Sequence, residues 1–317
     1  MKNKEKMISA VIACYNDVDA IPIMHQRLTK IFLKIGCNYE IIFVNDGSPD
    51  NSEEVLKNIC SDDKNTIAIM HSRNFSSQNA FTSGMMYSSG DGVVLLDGDL
   101  QDPPELIEKF YEYWVGGYDV IYGVRKNRDT TILLKFAYKL FYRIFKRLSY
   151  IQIPIDAGDF SLMDRKVVDA INNSPENDRF IRGLRAWVGF KQIGVPYHRP
   201  ERLFGKTTNN LFSNFRWARK GIFSFSNVPI EFIIYFSSFI VLISAFALVF
   251  YIGYYLANPT APKGFTTIIV LVLFLGGTQL LSIGILAEYI GKILEETKRR
   301  PKFIIDKIIN KKSKPTT

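Results

Sequence analysis

The sequence predicts an α/β protein in which a mostly parallel, helix-covered sheet precedes two membrane-crossing helices. Short apolar runs recur through the first part of the chain, most of them separated by helix-length connections. That alternation is the pattern of a parallel sheet with helices packed on it. Two later segments are apolar over about 20 residues, enough to span a bilayer's hydrocarbon core.

Residues Met7–Cys14, 40–45, 66–70, 92–96 and 120–122 read as the buried strands. Ligands of such sheets bind at the carboxyl ends of strands, so the residues just after each run are the candidates for function. Residues 131–148 differ in kind. Leu133, Ala137, Leu140, Phe141, Ile144 and Leu148 fall on one helical face, with Lys135, Lys139, Arg143 and Lys146 opposite. Such a helix lies in a membrane interface, or packs as an ordinary surface helix; 303–312 reads as a shorter version.

The apolar segments run over residues 232–256 and 265–287, within an anchor region of 229–290. Tyr251, Tyr254, Tyr255 and Tyr289 stand where interface aromatics belong. The loop between the segments carries only Lys263. Arg216, Arg219 and Lys220 lie on one side of the pair, and Lys292, Lys298, Arg299, Arg300 and Lys302 on the other. The positive-inside rule then predicts a multi-pass protein of the cytoplasmic (inner) membrane. Domain 1–228 and the basic tail 291–317 would both face the cytoplasm. Gly276, Gly277 and Ser282 would let helices approach closely, in a homo-oligomer or within the hairpin.

The chain has 40 Lys and Arg against 31 Asp and Glu. The basic excess gathers near 125–147, 199–220 and 292–314, beside apolar segments. That position favours lipid and phosphate partners over nucleic acid. Cys14, Cys37 and Cys60 are odd in number and lack CxxC spacing, so reduced thiols are expected. Three scattered histidines give poor support to a zinc cluster or a Ser-His-Asp triad.

Tyr15-Asn16-Asp17 follows the first strand and Asp46-Gly47-Ser48-Pro49-Asp50 the second. Each sets a carboxylate where a nucleobase or ribose could be hydrogen-bonded, although the second string is also common turn and cap chemistry. The fourth strand ends in Asp97-Gly98-Asp99-Leu100-Gln101-Asp102. Carboxylates two residues apart repel unless a cation lies between them. A hard divalent ion bound to diphosphate supplies that charge; an exposed acidic turn capping the next helix is the alternative. Gly205-Lys206-Thr207 is not a P-loop, because Pro200 stands where that motif needs Gly.

In this order and spacing the three features resemble the family-2 glycosyltransferases of the GT-A fold. The string LDGDLQDPPELI with the preceding SRNF is similar to the branch that makes polyisoprenyl-phosphate sugars, bactoprenol glucosyltransferases and dolichol-phosphate mannose synthases among them. The likeness continues through Ala157–Phe160, 179–184, 199–206 and the EYIGKILEETKRRPKF tail. Ala13, Asp17 and Ser76 stand where the family more often has Pro, Glu and Gly.

The resemblance implies a nucleotide-sugar donor held by Tyr15, Asp17, Asp46, Ser48, Asp97 and Lys206. It implies Mg²⁺ or Mn²⁺ at Asp97 and Asp99, with Asp99, Asp159 and Arg202 at the reaction centre. The acceptor is then a polyprenyl phosphate, undecaprenyl phosphate first, drawn by Arg125, Arg128, Lys135, Lys139 and Arg143. UDP-glucose is the first choice of donor. The implied reaction is a single inverting displacement serving cell-envelope glycan modification. Alternatives are a polyprenyl-phosphate mannose or aminosugar synthase, a processive polysaccharide synthase, and a catalytically silent membrane scaffold.

Overall fold

A computed structural model describes residues 6–126, 157–200, 228–257 and 264–310. The chain divides into two compact units, one holding the sheet and its helices, the other the two long C-terminal helices. The first unit runs β1 (Met7–Cys14), α1 (Ala20–Ile35), β2 (Asn38–Asn45), α2 (Ser52–Asp62), β3 (Thr66–His71), α3 (Ser77–Tyr87), β4 (Gly92–Asp97), α4 (Leu106–Val115) and β5 (Val120–Lys126). It continues with β6 (Ala157–Asp164), α5 (Arg165–Asn172), α6 (Ile181–Trp187) and β7 (Gln192–His198). The second unit is α7 (Val228–Ala257) and α8 (Phe265–Thr297). The chain then returns to the sheet as β8 (Ile305–Ile309).

The sheet order is β7-β5-β6-β4-β1-β2-β3-β8. β4, β1, β2 and β3 are mutually parallel, which brings their carboxyl ends to one edge. β1 is buried from Ile8 to Cys14 and β4 from Gly92 to Leu96, as expected of strands covered on both faces. Ile12, Met24, Leu28, Phe32, Phe43 and Phe110 build the core between sheet and helices. Burial pushes the Cys37 and Cys60 thiols up to about 11 and raises that of Cys14, so all three stay protonated at neutral pH.

Three strands add to the five expected. β6 is antiparallel to β4, with Leu95 opposite Ser161. β7 lies at the sheet edge, where its Pro196 leaves no ladder bond missing inside the sheet. β8 pairs antiparallel with β3, so 305–309 is strand where a helical reading had been expected. Its Ile308 and Ile309 cover an edge that would otherwise stand open.

In α8, Phe274–Thr297 is long and apolar enough to cross a membrane and is not buried within the protein. It overlaps the expected 265–287 over 274–287. In α7 the described side chains give a shorter apolar stretch, Ile230–Ile240. The expected interfacial helix 131–148 and the loop residue Lys263 lie outside the described residues.

Candidate active site

The loops after β1 and β2 are tied together before any ligand is considered. Asn16 N donates to Ser48 Oγ (2.7 Å) and Val18 N to Asp50 Oδ2 (3.1 Å). Ser48 Oγ donates in turn to Asp50 Oδ1 (2.7 Å). Burial works to raise the Asp50 carboxyl, but the hydroxyls of Ser52 and Ser48 outweigh it and hold it below its usual range. Ser48 therefore braces the two loops. Asp17 is buried and accepts from Tyr15 N at 3.0 Å, while the Tyr15 side chain is exposed. Gly47, at φ +63°, is obligatory: a Cβ there would lie 2.4 Å from the Arg73 backbone.

Asp46 is 2% exposed. Its Oδ1 accepts from His71 Nδ1 (2.8 Å) and from Phe75 N (2.9 Å). The histidine contact was not visible in the sequence, because His71 stands alone there. Its place as the last residue of β3, the neighbour of β2, is the signal that could have found it.

The acidic turn closes on β1 through Gly98 N donating to Ala13 O at 2.9 Å. A Cβ on Gly98 would stand 2.9 Å from Asp17 Oδ2 and 3.0 Å from Ala13 O, so a side chain there would press the two acidic loops apart. Leu100 is buried with φ +59°. A left-handed non-glycine residue stores roughly 1–3 kcal/mol of strain, which the packing around it must hold. Asn16 and Ser76, at φ +59° and +80°, put the same kind of strain into two more loops at this edge.

Continuing the β4–β6 register beyond Leu95 and Ser161 brings Asp159 level with Asp97. Burial first, then Asp102, Asp99 and Asp159, push the Asp97 carboxyl up to about 8, with Arg199 opposing. Arg199 lies 3.6 Å from Asp102 Oδ1 and 3.8 Å from Asp99 Oδ2. Tyr197 OH donates to Asp102 Oδ1, and Arg125 Nε donates to Tyr197 OH at 3.3 Å. Asp102 Oδ2 is buried without a hydrogen-bond partner. At Asp97 burial and three carboxylates thus outweigh Arg199, and a divalent cation there would favour the ionised form. Among the described residues no three His, Cys, Asp or Glu side chains converge to hold one alone. Oxygens of a bound diphosphate and water would have to complete its shell.

Behind Asp159 stand two arginines that sequence reading left unassigned. Arg182 Nη2 pairs with Asp159 Oδ2 at 3.1 Å. Arg185, three residues on along α6 and so on the same face, is 1% exposed. It donates to Gly158 O at 3.2 Å and lies over the Tyr122 ring at 5.0 Å. Burial would raise the Asp159 carboxyl, but Arg182, with help from Arg185 and Gln78, holds it below its ordinary range. Burial lowers Arg185 to about 10.

Asp17, Asp46, Asp97, Asp99, Arg125 and Asp159 thus belong to the loops and strand ends of one sheet edge. Arg128, Lys135, Lys139, Arg143, Arg202 and Lys206 lie outside the described residues.

An open α/β sheet with this charged edge is the frame of a glycosyltransferase of the GT-A type. The profile described as "Glycosyl transferase family 2" matches residues 9–171. An uncharacterized glycosyltransferase of Synechocystis sp. is 39% identical over 299 residues, covering 94% of each chain. The bactoprenol glucosyl transferase of Shigella phage SfII is 36% identical over 301 residues, covering 95% of this chain and 97% of that one. The chain belongs to glycosyl transferase family 2. Among solved structures, it is similar to a mannosyltransferase from Pyrobaculum calidifontis in complex with GDP-Man and Mn²⁺. That likeness has TM-score 0.49 and 12% identity, covering 94% of this chain and 89% of that one.

Proposed function

We propose that the protein transfers a sugar, glucose from UDP-glucose first, to the phosphate of a polyprenyl lipid such as undecaprenyl phosphate. The observation that carries this is the acidic turn at the end of β4, where burial and then Asp102, Asp99 and Asp159 push the Asp97 carboxyl up to about 8. It calls for a cation and the diphosphate bound to it. The near full-length match to a bactoprenol glucosyl transferase supports the lipid acceptor.

In this reading Asp46 contacts the nucleoside, and Tyr15, Asp17 and Ser48 shape its pocket. Asp97 and Asp99 would hold Mg²⁺ or Mn²⁺, which when bound neutralises the diphosphate as it leaves. Arg202 and Lys206 bind diphosphate oxygens, as fork and point charges suit them. A phosphate monoester has its second pKa at about 6, so it attacks the anomeric carbon without a strong base. Asp159, kept ionised by Arg182, then orients the acceptor side rather than removing a proton. Inversion follows from a single displacement.

The exposed apolar side chains of both long helices support a membrane anchor, Tyr235, Leu242, Phe246 and Leu280 being each about 70% exposed or more. The sheet supplies a second argument. β1–β7 precede the two helices and β8 follows them, yet all eight strands share one sheet. A membrane anchor between them would then cross the bilayer an even number of times. In this reading α8 spans with α7 as its return partner, and the positive-inside rule sets domain and tail on the cytoplasmic side. Arg125, Arg128, Lys135, Lys139 and Arg143 would draw the lipid phosphate to the edge of the site.

The test is transfer of radiolabelled sugar from a panel of nucleotide sugars into an organic extract, with undecaprenyl phosphate and Mg²⁺ or Mn²⁺ present. Label entering the extract from one donor, and lost in Asp99→Asn, supports the reading and names the sugar. Absence of transfer from every donor, with nucleotide still bound, overturns it.

A further inference from the structure

The segment after α8 reaches back to the carboxylate assigned to the nucleoside. Phe303 stacks on the His71 ring, centroids 5.3 Å apart and planes within 7°. Phe75 meets the same ring edge-on at 5.7 Å. His71, its side chain fully buried, donates from Nδ1 to Asp46 Oδ1 and meets Ser83 Oγ with Nε2 at 2.9 Å. Both ring nitrogens and one face of the imidazole are thereby held, and Phe303, which supplies that face, comes from the far end of the chain.

The tail is held in place by more than this ring. Ser72 N donates to Ile304 O at 3.0 Å, just before the loop that carries Phe75. The β3–β8 register is irregular between Met70 and His71 and sets His71 opposite Ile305. Lys307 Nζ pairs with Glu53 Oε1 at 2.5 Å, and Asn310 Nδ2 donates to Thr66 O at 3.2 Å. A strand that served only to cover the edge of β3 would need no aromatic ring over His71.

We propose that Phe303 and His71 are positioning residues for donor binding: the tail's ring fixes the imidazole, and the imidazole fixes Asp46. Oδ1 of Asp46 is occupied by His71 and Phe75 N, so Oδ2 is the oxygen assigned to the nucleoside. Loss of the Phe303 ring frees the imidazole to tilt, and Asp46 loses its set direction. The cost falls on donor affinity and on discrimination among bases, and spares the chemical step. This inference rests on the reading of Asp46 as a nucleoside contact.

The experiment measures binding of UDP, GDP and UDP-glucose to the full-length protein by calorimetry with Mn²⁺ present, and steady-state transfer alongside. Phe303→Ala is expected to weaken the preferred nucleotide about tenfold, raise the donor KM equally, and leave kcat nearly unchanged. It should also narrow the gap between UDP and GDP. Phe303→Tyr should restore wild-type binding, and Phe303→Leu, which keeps apolar volume without a stacking ring, should fall between. A purely structural tail predicts a lowered melting temperature with nucleotide affinity unchanged in Phe303→Ala and Phe303→Leu, and that result overturns the inference alone. A wild-type protein that binds none of the nucleotides overturns both the inference and the donor reading beneath it.

Discussion

Arg182 Nη2 and Gln78 Nε2 both lie 3.1 Å from Asp159 Oδ2, and Gln78 Oε1 accepts in turn from Ile181 N at 2.8 Å. One carboxylate of β6 is thus gripped by α3 and by the start of α6. Burial alone would favour the neutral acid; the cation beside it reverses that and keeps Asp159 ionised.

Arg182→Met removes the cation and leaves the amide. Because the folded carboxyl lies below its unfolded value, the pair stabilises the protein above that unfolded value, and the gain is lost as pH falls. Without Arg182 the carboxyl moves up, so the acid limb of the rate profile shifts to higher pH. Breaking a fully buried pair costs about 3–5 kcal/mol. Arg182 keeps 31% of its side chain exposed, so a loss of roughly 1–3 kcal/mol is expected after screening. A pH–rate series and a denaturant titration check both. An unmoved acid limb would detach Asp159 from the chemistry.

Asp97 predicts an opposite slope. Its folded carboxyl binds a proton up to about pH 8, whereas an unfolded aspartate releases it near pH 4. Between those values the folded state holds more protons, so stability falls as pH rises. A divalent cation with nucleotide favours the ionised form and should flatten that fall, releasing a proton as it binds. Melting temperatures from pH 5 to 8, with and without MnCl₂ and UDP, test this. Asp97→Asn should remove the slope, and equal slopes under both conditions would count against a cation at this carboxylate.

Ser76 has φ 80° and ψ 156°, a region that is nearly glycine's alone. The sequence already marked this position, since the resembling family more often has Gly there. Ser76→Gly should stabilise the protein by about 1–2 kcal/mol, strain relief exceeding the extra backbone entropy of glycine. Thermal unfolding reads this directly, and a destabilised variant would mean that the loop does not carry strain at Ser76.

The first four strands were legible because each is built on an apolar run buried on both faces, and β5 (Val120–Lys126) only over its apolar start, 120–122. β6, β7 and β8 were not. β6 carries Asp159 and Ser161 in its interior, β7 contains Gly194 and Pro196, and β8 is five residues with Asp306 and Lys307 among them. Their strand state comes from neighbours in the sheet, a tertiary cause that local pattern does not contain. Asp17, Asp46, Asp97 and Asp99 were visible as residues at or just after strand ends, whereas Asp159, inside β6, was marked only by the family resemblance. Their partners were not: His71, Gln78, Arg182, Arg185 and Tyr197 are single residues on other elements, joined to the site only by the fold. The return of β8 to the sheet was equally hidden, and with it the parity argument for a paired anchor.

The most direct measurement of the central claim is the mass of the lipid recovered after purified protein, UDP-glucose, Mn²⁺ and undecaprenyl phosphate react. The account predicts a lipid phosphate heavier by a single hexose, absent with Asp99→Asn and formed once per acceptor even with donor in excess. Lipid of unchanged mass while donor is consumed, or lipid bearing a growing series of hexoses, would contradict single transfer to the lipid phosphate.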